Sequence, residues 1–394
     1  MSVVRNSLCN GCHACYSICP WNCISMTPDH EGFLYPRIDT LQCKNCGLCE
    51  KICPALHREK QKIQPDNLIA VINNDAATRK ISSSGGVFTL LAETVIRQHG
   101  AVFGAAFDAD FHVQHDAAES IEGLAAFRGS KYVQSSIGES YKACKKRLDE
   151  GQKALFSGTP CQIAGLKAYL QSEYTNLYCL DLICGGASSP KVWEKYLAYQ
   201  KSIYHSKPVR ISFRYKNPNW NPMYMLLEFE NGVRYVSKND LYFHKSYGYG
   251  ISLRPSCFQC NFRPVNQGSD ITLGDFWKIK KYFPGMYDRY GTSLVILNSE
   301  KGKELFEHIK AQCKYVYINS ELSKEYARTT FKCFKGRHRN RDLFFKHLDT
   351  MPFDTLVKKY TDYLLIFRML LQKIVRRCFD KLRKPMNVNT MVEK

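Results

Sequence analysis

The sequence predicts a mixed α+β / α/β protein of 394 residues in three parts. These are a small cysteine-rich N-terminal unit, a larger mixed-sheet α/β domain and a basic helical tail. Three observations predict this. Eight cysteines form two runs of the pattern C-x2-C-x2-C-x3-C-P, within residues 9–54. From Leu68 onward, strand, turn and helix patterns alternate. Between Lys332 and Lys384 there are 15 Lys/Arg against 5 Asp/Glu, which supplies +10 of a net charge of +20. The resulting parts are residues 1–58, 65–330 and 331–394. With 44% hydrophobic residues the chain can bury a sizeable core, which excludes wholesale disorder.

In the first run Cys9, Cys12, Cys15 and Cys19 precede Pro20; in the second Cys43, Cys46, Cys49 and Cys53 precede Pro54. Three thiolates at two-residue intervals wrap one face of a 4Fe–4S cubane, and the fourth cysteine ligates the other cluster of the pair. One cluster is therefore expected on Cys9, Cys12, Cys15 and Cys53, the other on Cys43, Cys46, Cys49 and Cys19. Gly11 and Gly47 are expected to give the backbone room near the sulfides. Zinc also binds C-x2-C pairs, but it gives no reason for two complete quartets with trailing prolines. Cys23 is surplus and reads as a small buried hydrophobe. Such clusters carry one electron each, so a partner site is expected downstream.

Eighteen cysteines in so long a chain do not suggest a secreted disulfide scaffold. No apolar run precedes Cys9, and none near the C-terminus is long enough to span a bilayer. A cytoplasmic location on the reducing side of a membrane is expected.

In the second part, Leu68–Ile72 reads as a strand, and Ser82 to Gly86 is a serine–glycine turn entering a helix over Val87–Gln98. Ala101–Phe107 is the next strand. Lys153–Phe156 is followed by Ser157-Gly158-Thr159-Pro160-Cys161-Gln162 and a helix through Leu170. Leu177–Ile183 then ends in Cys184-Gly185-Gly186. Repeated strand–turn–helix favours a parallel sheet with its site at the strand carboxyl ends. The two hydroxyl-rich turns offer helix N-termini to a phosphate, or are plain caps. Cys161, just inside a helix, suits a nucleophile, a metal ligand or a core position. Asn231-Gly232 predicts a two-residue hairpin turn. Cys257 and Cys260 form a further C-x2-C pair.

The stretches Ser83-Ser84-Gly85-Gly86-Val87-Phe88, Phe156 to Gln162, Asp181 to Gly186 and Ser269 to Trp277 resemble the coenzyme F-420 hydrogenase/dehydrogenase beta-subunit family over roughly residues 65–330. The resemblance implies a flavin-binding domain with FAD lined by Ser83, Ser84, Gly85, Gly86, Ser157, Gly158, Thr159, Pro160 and Gln162. It also implies a third 4Fe–4S cluster on Cys161, Cys184, Cys257 and Cys260. Gly185-Gly186 stands where many members have His-Gly, which leaves the organic substrate open. Family members pass electrons between a reduced carrier and an organic hydride acceptor, and some accompany bacterial cell-surface polysaccharide synthesis.

In the tail, apolar residues recur with helical spacing from Leu356 through Tyr360 to Leu382, with lysines and arginines mainly on the other face. This suits either an anionic membrane surface, with the protein peripheral on its inner face, or a helix packed on the parent domain. No nucleic-acid motif accompanies the charge. The expected function is an iron–sulfur flavoprotein oxidoreductase fed by reduced ferredoxin or another donor. The alternatives are a non-catalytic electron-transfer subunit and a redox-sensing scaffold.

Overall fold

The computed structural model describes residue 3 and residues 7–57, 68–238, 240, 242–262, 268–330 and 336–361. The N-terminal unit has two short helices, α1 (Ala14–Ile18) and α2 (Leu48–Lys51), and a hairpin of β1 (Ile24–Pro28) with β2 (Leu34–Ile38). The backbone obeys the sequence repeat. Gly11 and Asn45 occupy matched positions with φ of 64° and 52°, as do His13 and Gly47 with 64° and 69°. Each left-handed residue turns the chain so that successive cysteines face one point. The space expected beside the sulfides is found differently. A Cβ on Gly11 would lie 2.8 Å from the Arg254 guanidinium, whereas one on Gly47 would meet nothing within 4 Å. Gly11 thus makes room for an arginine, and Gly47 supplies only its conformation.

The second part is built on eight strands: β3 (Leu68–Asn73), β4 (Ala101–Phe107), β5 (Val113–Ala118), β6 (Ala154–Gly158), β7 (Leu177–Leu182), β11 (Ile271–Asp275), β12 (Ser293–Leu297) and β13 (Cys313–Tyr317). Their order is β13-β3-β12-β11-β7-β6-β4-β5. The strands β4, β6, β7 and β11 are parallel neighbours. The edges are antiparallel. In particular β3 pairs antiparallel to β12 and β13 and does not neighbour β4, so the first strand–helix–strand unit is split by the rest of the sheet. All six residues of β3 are buried. That fits a strand covered on both faces.

A second sheet of β8 (Pro208–Tyr215), β9 (Tyr224–Phe229) and β10 (Arg234–Lys238) is antiparallel. Its tight turn is one residue longer than expected. Phe229 N donates to Val233 O at 2.9 Å, and Gly232 N to Phe229 O at 2.9 Å. Only Gly232, at φ 81°, is left-handed, so the loop is Glu230-Asn231-Gly232 with a glycine bulge.

Helix α3 (Ala76–Ile81) is N-capped by Asp75 and followed by α4 (Val87–Arg97); α5 (Ser140–Asp149) and α6 (Pro160–Leu170) cover one part of the sheet. Helix α7 (Pro190–Tyr204) places Trp193 and Tyr196 in a core that also holds Phe33 and Tyr35 of the N-terminal unit and Phe344, Phe353 and Leu356 near the C-terminus. The N-terminal unit therefore shares its core with the larger domain. At Phe353–Tyr360 the apolar face is buried, with Leu356 and Tyr360 packed inward. There the packed-helix alternative holds; the rest of the amphipathic stripe lies outside the described residues. Among the described residues no helix is long and apolar enough to cross a membrane.

Candidate functional site

The cysteines of the N-terminal runs lie close to one another in the folded unit. Burial and then the thiols of Cys15, Cys9 and Cys53 push the Cys12 thiol up. Burial, Cys9 and Cys53 do the same to Cys15, so Cys53 of the second run meets three cysteines of the first. Across the unit, Cys43 and Cys46 lie in the loop before α2 and Cys49 lies in its first turn. Cys19 reaches them through Cys23, whose Sγ lies 3.4 Å from that of Cys19 and whose thiol is pushed up to about 12 by burial, Cys19 and Cys43. Cys23 is buried as expected, yet it touches the cysteines proposed as ligands.

A third quartet forms from three separate elements. Thr159 caps α6, its N–H and hydroxyl both reaching Gln162 Oε1 at 2.9 and 3.0 Å, with Pro160 pre-set for the first turn. This fixes Cys161 at the helix start. Cys184 follows β7, and Cys257 and Cys260 flank the end of a short 3-10 turn over Pro255–Gln259. Burial and the thiols of Cys260, Cys184 and Cys257 raise the Cys161 thiol well above its ordinary value. Burial and Cys184 push Cys257 up to about 12. Four partly buried cysteines gathered at one place fit a site whose thiolates are neutralised by metal. Among the described residues no three His, Cys, Asp or Glu are close enough for a single ion; a cubane, with four separate irons, needs a wider ring.

Beside this quartet lies a cleft of about 300 Å³, at the carboxyl ends of β6, β7 and β11. Of the residues expected to line a flavin, Ser83, Ser84, Gly86, Ser157, Gly158, Thr159, Pro160 and Gln162 border it, as do Cys161, Cys184, Cys257 and Cys260. Gly85 does not border it. A Cβ there would lie 2.5 Å from Val71 O and 2.7 Å from Ser293 N, so Gly85 packs the turn against the sheet. Gly185 and Gly186 line the cleft, and at Gly186 φ is 121°.

Sequence reasoning missed the segment Arg128 to Ser135, His115 and Arg254, all of which line the cleft. Ser130 N and Oγ both bond Ser83 Oγ, at 2.6 and 2.9 Å, joining that segment to the serine–glycine turn. The Lys131 ammonium donates to the carbonyls of Ala126 and Arg128, and burial pushes it down to about 7. Arg128 Nε donates to Thr89 Oγ1 at 3.2 Å. The Arg-Gly-Ser-Lys sequence at 128–131 was the available signal. His115 donates from Nε2 to Ser157 O at 3.0 Å, while its buried Nδ1 has no partner among the described residues. Burial holds it down near 4, hence neutral.

Paired cysteine quartets leading to a hydroxyl- and glycine-lined cleft define an iron–sulfur electron-transfer protein. Residues 8–56 match a 4Fe-4S dicluster domain, and residues 151–321 match the C terminus of the coenzyme F420 hydrogenase/dehydrogenase beta subunit. The chain is thus an oxidoreductase-like protein related to the F420 hydrogenase beta subunit, with a dicluster ferredoxin domain in front. An uncharacterised ferredoxin of Methanocaldococcus jannaschii is 36% identical over 52 residues, 13% of this chain and 66% of that protein, just under two thirds of its length. A chain of the F420-reducing NiFe hydrogenase complex from Methanosarcina barkeri aligns with 17% identity over 71% of this chain and 91% of its own, with a TM-score of 0.47.

Proposed function

We propose that the chain is a flavin-dependent iron–sulfur oxidoreductase. The dicluster unit (1–58) feeds a third cluster, which serves FAD held in the cleft of the second part (65–330). The observation that carries this is the shared boundary: the third quartet and the serine–glycine turns line one cavity. FAD supplies the pairing of single electrons into a two-electron transfer to an organic acceptor. About 300 Å³ is at the small end of ligand cavities. The lining suits a flavin nucleotide, since among the described residues Arg128 and Lys131 bond only neutral oxygens and pair with no carboxylate. The diphosphate of FAD would supply it, beside the N-terminus of α4.

The remaining residues position and exclude. The capping box holds Gln162, whose Nε2 donates to Ser135 Oγ at 2.9 Å, fixing one wall. Neutral His115 borders the cleft and, by donating from Nε2 to Ser157 O, holds the end of β6 in place. Electrons are proposed to arrive at the second quartet. Cys46 is exposed there, and Trp21, Leu41 and Leu56 nearby in sequence are 51%, 93% and 44% exposed, an apolar surface for a donor protein. The organic acceptor is left open by Gly185-Gly186, and a role in cell-surface polysaccharide metabolism belongs to this reading only through the family resemblance.

Anaerobic purification with iron, sulfide and flavin assayed per chain tests the reading. About 12 iron and one FAD are expected. Iron without flavin would sink the enzyme and leave a relay.

A further inference from the structure

We infer that Arg254 is the buried counter-charge shared by the first quartet (Cys9, Cys12, Cys15, Cys53) and the third (Cys161, Cys184, Cys257, Cys260), fixing their approach and raising the reduction potential of both clusters. The inference rests on the three-cluster reading proposed above.

Arg254 is 1% exposed. Its Nε donates to Cys9 O at 2.7 Å, Nη2 to Leu34 O at 2.9 Å and Nη1 to Gln134 Oε1 at 2.9 Å. Its guanidinium stands 4.1 Å from the Tyr35 ring centroid and 5.3 Å from that of Phe33. All of these partners are neutral, and among the described residues no carboxylate forms an ion pair with it. Arginine keeps its proton in proteins, and a buried charge is strongly unfavourable unless an opposite charge is near. While the diphosphate proposed for the cleft is assigned to Arg128 and Lys131, the chain's own described groups at hand that can supply negative charge are the two cysteine quartets. One lies behind the Cys9 carbonyl. The other begins three residues later, where Cys257 N donates to Arg254 O at 3.0 Å.

Two further contacts hold the quartets together around this cation. Asn10 Nδ2 reaches Ser256 Oγ at 3.3 Å, joining the two cysteine loops directly. On α6, Gly165 lies one turn beyond Cys161 and so shares its face. A Cβ on Gly165 would come within 2.9 Å of Cys12 Cβ and 3.1 Å of its Sγ. The helix that starts with a third-quartet cysteine therefore rests on a first-quartet cysteine. Gly11 completes the fit by leaving space for the guanidinium.

A 4Fe–4S cluster with four thiolates is an anion and gains negative charge on reduction. A fixed cation beside it favours the reduced form. Arg254 is a positioning residue: it acts on the electron route through charge and spacing, while the second quartet lies beyond its contacts.

The test is an EPR-monitored redox titration of the full chain, with iron counted first. With about 12 iron per chain, Arg254→Met is expected to lower the midpoints of the first and third clusters. At fixed potential the reduced:oxidised ratio should fall about tenfold, equivalent to about 59 mV for one electron. The second cluster should not move. Arg254→Lys, which retains the charge, should restore most of the shift. If Arg254→Met loses its clusters, Gln134→Glu serves instead, because a carboxylate against Nη1 neutralises the cation in place and should lower the same two midpoints. Unchanged midpoints in the variant that loads, or an equal fall in Arg254→Lys, overturn the role of Arg254 alone. About 8 iron in the unsubstituted chain overturns the three-cluster reading and the shared counter-charge with it.

Discussion

Arg214 Nη1 donates to Asp275 Oδ2 at 2.7 Å, with 3% and 17% of the two side chains exposed. The same guanidinium donates to Tyr132 OH and to Ser83 O at 3.1 and 3.3 Å, and lies 5.0 Å from the Trp277 ring. One residue of the three-stranded sheet therefore anchors three borders of the cleft. Arg214→Leu leaves Asp275 without its charge partner and frees the serine–glycine turn. Loss of a buried ion-pair partner costs about 3–5 kcal/mol. Denaturant unfolding should show a loss of that order, and flavin affinity, read by fluorescence titration, should fall at least tenfold.

Cys260→Ser tests the third quartet separately from the first two. Iron should fall from about 12 to about 8 per chain, with the EPR signals of the dicluster unit retained. Retention of all the iron would remove Cys260 from the ligand set.

Stability should depend on pH through Asp181. It is fully buried, Thr272 donates to its Oδ1, and its Oδ2 has no partner. Burial raises its carboxyl from 3.8 to about 7. Between these values the folded chain binds the extra proton, so this contribution is present below pH 3.8 and is lost as pH rises to about 7. Asp181→Asn should flatten that slope and stabilise the protein above neutrality by a few kcal/mol, at roughly 1.4 kcal/mol for each pH unit separating the two values. Thermal unfolding at several pH values measures this. An unaltered slope would place the effect elsewhere.

Leu41 is 93% exposed, two residues before Cys43. If a protein donor docks beside the second quartet, Leu41→Asp should slow reduction by a small ferredoxin about tenfold, the effect of losing one apolar anchor at an interface. Reduction by dithionite, which needs no docking surface, should be unchanged. Equal rates with the ferredoxin would move the docking surface away from Leu41.

The parts of the site legible in the sequence were those set by local spacing. The two cysteine runs determine their own geometry, and the backbone repeats left-handed residues at matched positions in both. Thr159 to Gln162 was readable as a helix start because a capping box is complete within four residues. The third quartet is assembled from α6, the end of β7 and the turn at 255–259, and nothing local links these. The resemblance pointed to those cysteines. The place of β3 was not legible, since a six-residue apolar run fits any covered strand whatever its neighbours. The strands β12 and β13 went unread, and β13 is a partly exposed edge strand with no continuous apolar run. Arg254 gave no signal at all: a lone arginine in a loop is ordinarily solvated, and its burial follows from the packing of two remote cysteine loops.

Arg341, near the C-terminal end of the described residues, is fully buried against buried Glu31 of the N-terminal unit. Arg341 Nη1 donates to Glu31 Oε1 and Nη2 to Glu31 Oε2, and the residues are 310 positions apart. During synthesis the N-terminal unit leaves the ribosome long before Arg341 does, with Glu31 still lacking its cation and Phe33 and Tyr35 lacking their cover. The order of the chain thus sets the order of maturation. The dicluster unit reaches its final packing only after residue 341 has emerged, and loading of its iron is expected to follow that docking.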